Sequence, residues 1–317
     1  MELSGSKGRK RFAVFAWAVL AYNIPVILWG AYVRVSFSGD GCGANWPFCA
    51  GQVLPRHMAA PMMIEFTHRM MTSVDSIGVI LLCAWAFRAF PKQHAARRYA
   101  LWSLLFLFAE ALLGAGLVLL RYVAHNQSAG RALYFSAHLT NTMLLLGALT
   151  MTAWLAQTNT ARVHWENVSR TFAFSLFVTV VVSITGAIAA LGDTLFPAAS
   201  LVEGMRQDLS SGSSLLLRLR IFHPVLAMLG ASYLLWAAWS ALKRGDRSAT
   251  GSAAIGVMTL IVLQILAGAV NLSLMAPVWM QLFHLFMADA LWIAVVTMVM
   301  QTSVVRQARE RELVAVA

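Results

Sequence analysis

Four histidines, His68, His138, His223 and His284, each lie inside an apolar run, six to eight residues from the same end of it or roughly 10 Å along a helix axis. Ionisable side chains within apolar spans are rare and usually functional. Two fall in the first half of the chain and two in the second, on alternate runs, so each half presents one pair at one depth. Two imidazoles facing each other across a four-helix unit are what bis-imidazole haem iron requires. A bare zinc ion would lack its third and fourth ligands. The other histidines, His57, His94, His125 and His164, fall in connections. In the stretch MMIEFTHRMM, Glu65 precedes His68 by three residues, on the same helix face and one turn nearer the outside.

These residues need apolar helices to hold them, and the composition supplies little else. Of 317 residues, 59% are hydrophobic and only 12% charged, with a mean hydropathy of +0.69, which marks an integral membrane protein. A bilayer core takes about 20 apolar residues per crossing. Eight runs of that length are predicted near 12–36, 61–88, 100–120, 131–157, 171–192, 216–242, 252–274 and 279–304. The first exceeds the ~7 to 15 residues of a signal h-region and lacks an A-x-A-like site, so it reads as a retained helix.

The net charge of +11 does not point to nucleic acid, because the basic residues set topology. Sixteen of 24 fall in the N-terminal tail, the even-to-odd connections and the C-terminal tail, which places both termini in the cytoplasm. Eight arginines, 34, 56, 69, 121, 131, 206, 218 and 220, lie at the outer ends or in outer loops. An anionic partner near the outer surface would account for them, as would snorkelling to headgroups. Cys42 and Cys49 share the first outer loop, GDGCGANWPFCAG, where disulfides are permitted. A closed loop, as a staple or with a redox role, is one reading. Free thiols on a metal would need further ligands, and only His57 is near.

The halves also match each other weakly. EALLGAGLVLL begins at Glu110 in the third run and QILAGAVNLSL at Gln264 in the seventh, each with a Gly-Ala pair four and five residues on. The expected fold is all-α: eight transmembrane helices as two tandem four-helix bundles related by a pseudo-twofold repeat, divided as residues 1–160 and 161–317.

EFTHR, CGANWPFC, SAHLTNT, LRLRIFHPVLA and LFHLFMADALW, in this order over nearly the whole chain, resemble the haem A synthases. The resemblance implies an oxidoreductase of the cell membrane, active in cytochrome oxidase assembly, that converts the C8 methyl group of haem O to a formyl group with water as oxygen source. It implies that His68 and His138 ligate the substrate haem, that His223 and His284 hold a haem b cofactor, and that Cys42 and Cys49 are the family's outer cysteine pair, which forms a disulfide and takes part in catalysis. Glu65 matches the family's glutamate, whose carboxylate would stabilise a cationic carbon and accept a proton from attacking water. The plainer alternative is a buried Glu65 bonded to Arg69 or to backbone. Arg69 is expected to point elsewhere around the helix, as a propionate partner or a snorkelling residue. Glu110, Asp75 and Asp289 receive no role. Besides haem O and the bilayer, candidate partners are haem O synthase, a quinone or other electron acceptor, and further copies of the chain.

Two departures from the family are visible. GDTLFPAASLVEGMRQDLSSGSS has no second cysteine pair, and Ala44-Asn45 precedes Trp46 where many relatives have Pro-Asp. A dihaem b cytochrome that only transfers electrons would need the same four histidines but neither Glu65 nor the cysteines. A two-repeat transporter would not need paired histidines.

Overall fold

The computed structural model describes residues 6–210, 212–244 and 249–316. Among the described residues ten α-helices follow in order: α1 Ser6–Val35, α2 Ala60–Ala89, α3 Ala95–Leu119, α4 Ala129–Thr158, α5 Arg170–Leu195, α6 Leu201–Leu209, α7 Leu215–Arg220, α8 Phe222–Arg244, α9 Ala249–Ser273 and α10 Val278–Val316. Eight helical segments are long and apolar enough to cross a membrane, α7 and α8 together forming the sixth. The predicted spans correspond one to one. Their ends move outward most at α1, α3 and α10, because polar residues can extend a helix past the hydrocarbon.

Two features were not predicted. The sixth span is broken at Ile221. Pro224 lacks an N–H and its ring crowds the carbonyl four residues back, at Arg220. The outer connection also contains the short helix α6, whose capping residue Ser200 accepts a hydrogen bond from the Glu203 N–H at 3.2 Å.

Local chemistry sets the other boundaries. Pro61 stands in the first turn of α2, where its missing N–H is no loss. Ser128 caps α4 by accepting from the Arg131 N–H, and Asn159 closes it in the left-handed conformation. His94 caps α3 through Nδ1, which accepts from the Ala96 N–H at 3.1 Å. That role needs an unprotonated ring nitrogen. Burial, and then the charge of Arg9, hold the His94 pKa below its ordinary value.

In the first half α1 touches α2, α2 touches α3, α3 touches α4, and α4 returns to α1. In the second, α5, α8, α9 and α10 close the same kind of ring. Each ring puts its histidine-bearing helices on one diagonal: α2 and α4, then α8 and α10. The rings meet through α4 and α10, where Leu146, Leu149 and Leu155 pack with Trp292, Val296 and Met300 in one core. There the Trp292 indole N–H donates to the Met143 carbonyl at 2.7 Å, beside Gly147. The outward faces carry exposed large apolar residues such as Val14, Leu112 and Leu133, as lipid-facing surfaces do.

Candidate functional site

Each of the four histidines packs against a glycine on the neighbouring odd-numbered span. A Cβ added at Gly30 of α1 would lie 3.0 Å from His68, at Gly114 of α3 3.7 Å from His138, at Gly186 of α5 3.0 Å from His223, and at Gly268 of α9 3.1 Å from His284. The glycines occupy the diagonal that the histidines leave. Within each half the two imidazoles lie in charge–charge range of each other, His68 with His138 and His223 with His284. Among the described residues no three His, Cys, Asp or Glu side chains gather as a metal site, so each half offers two imidazoles and little else to an iron. Nδ1 of His68, His138 and His284 is buried without a hydrogen-bond partner. Such an orphan costs about 1–3 kcal/mol, and a metal-bound histidine whose second nitrogen seeks an acceptor is one physical reason to retain it. The glycines make room for the imidazoles, and a pair of imidazoles is the donor set a bis-histidine haem would use in each half.

The surroundings of the pairs differ. Glu65 is 4% exposed; its Oε2 accepts from the Cys42 N–H at 2.8 Å and its Oε1 from Arg69 at 2.5 Å. The same Arg69 guanidinium donates to the carbonyls of Asn45, Pro47 and Phe48. The expectation that Arg69 points away from Glu65 is therefore corrected: at i and i+4 the two share a helix face and form an ion pair. Together they clamp the cysteine loop onto α2. In that loop Cys42 and Cys49 form a disulfide with Cα atoms 4.6 Å apart, both buried against Phe66. Gly41 is obligatory there, since a Cβ would meet the Pro61 carbonyl carbon at 2.4 Å, and Gly43 has φ +66°.

On α3, Glu110 Oε1 lies 3.4 Å from His138 Nδ1 without hydrogen-bond geometry. Asn141 donates to Glu110 Oε2 at 2.6 Å, and the Thr142 hydroxyl donates to Oε1. Sequence reasoning left Glu110 without a role. Its spacing, four residues before Gly114, carried the signal, because Gln264 stands four before Gly268 and its amide lies 3.3 Å from His284 Nε2. His223 Nδ1 meets the Thr185 hydroxyl at 3.1 Å. Three residues before His223, where the first half has Glu65, stands Arg220, which pairs with Asp193 at 3.0 Å and Asp208 at 2.6 Å.

Several outer arginines are thus tied to protein rather than to headgroups. Arg34 donates to the Ala190 carbonyl, Thr194 and Gln281, joining the halves, and Arg131 donates to the Ala124 and Asn126 carbonyls. Arg56, Arg121 and Arg206 are exposed. Asp75 accepts from Asn23 at 2.8 Å, whereas Asp289 Oδ2 is buried and unpartnered. Between α1, α2 and α10 an open apolar cavity of about 450 Å³ is lined by Pro25, Leu28, Trp29, Tyr32, Met71 and Leu282, Trp29 and Tyr32 standing on either side of Gly30 in sequence.

The sequence model of the cytochrome oxidase assembly protein family matches residues 13–296. A Thermus thermophilus protein named protoheme IX farnesyltransferase is 41% identical over 285 residues, covering 89% of this chain and 47% of its own length. A protein named heme A synthase from Lysinibacillus sphaericus is 37% identical over 105 residues, 33% of this chain and 34% of that one. Another of that name, from an Exiguobacterium species, is 28% identical over 185 residues, 58% and 60%. The match thus spans about half the length of the Thermus relative and at most 60% of the other two.

Proposed function

The chain belongs to the cytochrome oxidase assembly protein family, and on that premise we propose that it is a haem A synthase, an oxidoreductase that converts the C8 methyl group of haem O to a formyl group with water as the oxygen source. The observation that carries the reading is a repeated pair of glycine-cradled histidines with a buried carboxyl group, Glu65, three residues before His68 where Arg220 stands three before His223. Residues 1–160 form the reacting half and residues 161–317 the electron-transfer half, related by a pseudo-twofold repeat.

His68 and His138 hold the substrate haem O, entering from the bilayer past the apolar cavity beside Gly30. Glu65 lies one turn outward of His68 and shields positive charge at the ring edge, and its carboxylate takes the proton from attacking water. Arg69 and the Cys42 N–H orient that carboxylate, so Cys42 and Cys49 act on the reaction through their closed loop. His223 and His284 hold a haem b, which when bound accepts electrons one at a time and passes them on. A quinone or other acceptor on the membrane, haem O synthase as supplier, and a homo-oligomer complete the proposed setting, with both termini cytoplasmic.

The double bonding of Glu65 also favours a second reading, in which that residue only clasps the loop and the protein is a dihaem b cytochrome moving electrons. Coexpression with a haem O synthase, followed by chromatography of the extracted haems, separates them. Haem A or its hydroxylated intermediate is expected. Unmodified haem O and haem B alone would leave the cytochrome reading.

A further inference from the structure

Glu110 and Gln264 occupy matched places in sequence, four residues before the cradling glycine, and each meets the histidine on the next span, Glu110 at Nδ1 of His138 and Gln264 at Nε2 of His284. One is a carboxylate and the other a neutral amide. The Asn141 amide donates to Glu110 Oε2 at 2.6 Å, the Thr142 hydroxyl lies against both Oε1 and the His138 carbonyl, and these contacts hold Oε1 3.4 Å from a His138 nitrogen that has no other partner. Asn141 is itself anchored, donating also to the Phe106 carbonyl at 2.8 Å. A carboxyl oxygen is therefore held within reach of His138 Nδ1.

We propose that Glu110 is a positioning residue for His138: when Nε2 of His138 ligates iron, the Nδ1–H is donated to Glu110, making this imidazole a stronger donor and the N-terminal iron harder to reduce than the iron held beside Gln264. The inference rests on the bis-histidine haem reading above. Its physical basis is the general one that a carboxylate on the second nitrogen fixes the ring and raises ligand basicity. A ferric iron carries one more positive charge than a ferrous one, so a nearby anion favours the ferric state.

The test is a redox titration of purified protein loaded with haem, read from the low-spin absorbance, in a His284→Ala background where only the N-terminal pair is six-coordinate. Glu110→Gln is expected to raise the ferrous-to-ferric ratio at fixed ambient potential about tenfold, a shift of 59 mV for one electron. Gln264→Glu in a His138→Ala background adds a charge at the matched place, where the side chain faces Nε2 of His284, and is expected to lower that ratio at the C-terminal iron. If Glu110→Gln loses its haem, Glu110→Asp, which keeps the charge and draws it back from Nδ1, decides by a smaller rise. Unchanged ratios in haem-bearing protein would overturn the role of Glu110, whereas protein that binds no haem in either background would instead overturn the haem reading itself.

Discussion

Around His68 and His138 stand two glutamates, Glu65 one turn outward and paired with Arg69, and Glu110 against the ring. Around His223 and His284 the corresponding positions hold Arg220, paired with Asp193 and Asp208, and the amide of Gln264. The glycine cradles are alike in both halves. The outer loops are not: one is closed by a disulfide and clamped to α2, the other carries α6 and no cysteine. The contrast teaches that helix geometry can be duplicated whole while function diverges in a few side chains one turn away. The glycines seat an imidazole in either half, whereas a carboxyl group stands at positions 65 and 110 of the first half and at neither matching place, 220 or 264, of the second.

The largest effect that would break this comparison is loss of a ligand. His223→Ala or His284→Ala should abolish the low-spin spectrum of the C-terminal haem, because six-coordinate iron loses a strong-field donor, while His94→Ala, which removes the α3 cap and a stacking contact with Phe90, should leave it intact. Survival of the spectrum in both helix variants would misassign that site.

Next comes Glu65→Gln, with conversion measured per bound haem. The amide oxygen can still accept from Cys42, but the charge is gone. Losing one preorganised electrostatic contact should slow conversion by ~100 to 1000-fold, or about 2.7–4 kcal/mol of barrier. A purely structural clasp would cost about 1 kcal/mol of stability and little rate.

Opening the loop should cost somewhat less. Cys42→Ser with Cys49→Ser removes a short closure that stabilises by ~2 to 3 kcal/mol in the chain-entropy view, and turnover per haem should fall as Glu65 loses its fixed N–H donor. Full turnover per haem, measured beside thermal stability, would leave the disulfide a staple alone.

The smallest effects sharpen the likeness between the halves. Gly30→Ala and Gly186→Ala each place a methyl 3.0 Å from an imidazole, whereas Gly114→Ala leaves 3.7 Å, an ordinary contact. Haem occupancy, read from absorbance per protein, should fall for the first two and stay near wild type for the third. Equal loss in all three would show that the cradle is not what seats the ring.

Much of this was legible in the sequence, since hydropathy fixes the spans and an ionisable residue in such a run is conspicuous. His68, His138, His223 and His284 could be found by depth alone. The Arg69–Glu65 ion pair was also within reach, being an i, i+4 pair, but a positive charge near an outer end reads equally as snorkelling. The break at Ile221 had its signal in Pro224, but one proline near the end of a long apolar run does not by itself divide the run, and α6 was hidden by the polar composition of a loop too short for a span. The link from Glu110 to His138 crosses two helices, so it depends on how α3 and α4 rotate against each other, which apolar patterning in lipid records poorly.

The central claim, that the N-terminal pair holds the substrate and the C-terminal pair the cofactor, is tested most directly by asking which haem each half keeps. Protein carrying His223→Ala with His284→Ala, and protein carrying His68→Ala with His138→Ala, would each be coexpressed with a haem O synthase, purified, and their bound haems identified by chromatography. Haem O or its hydroxylated form in the first and haem B in the second is the predicted result. Haem B in the first with haem O in the second, or the same mixture in both, would contradict it.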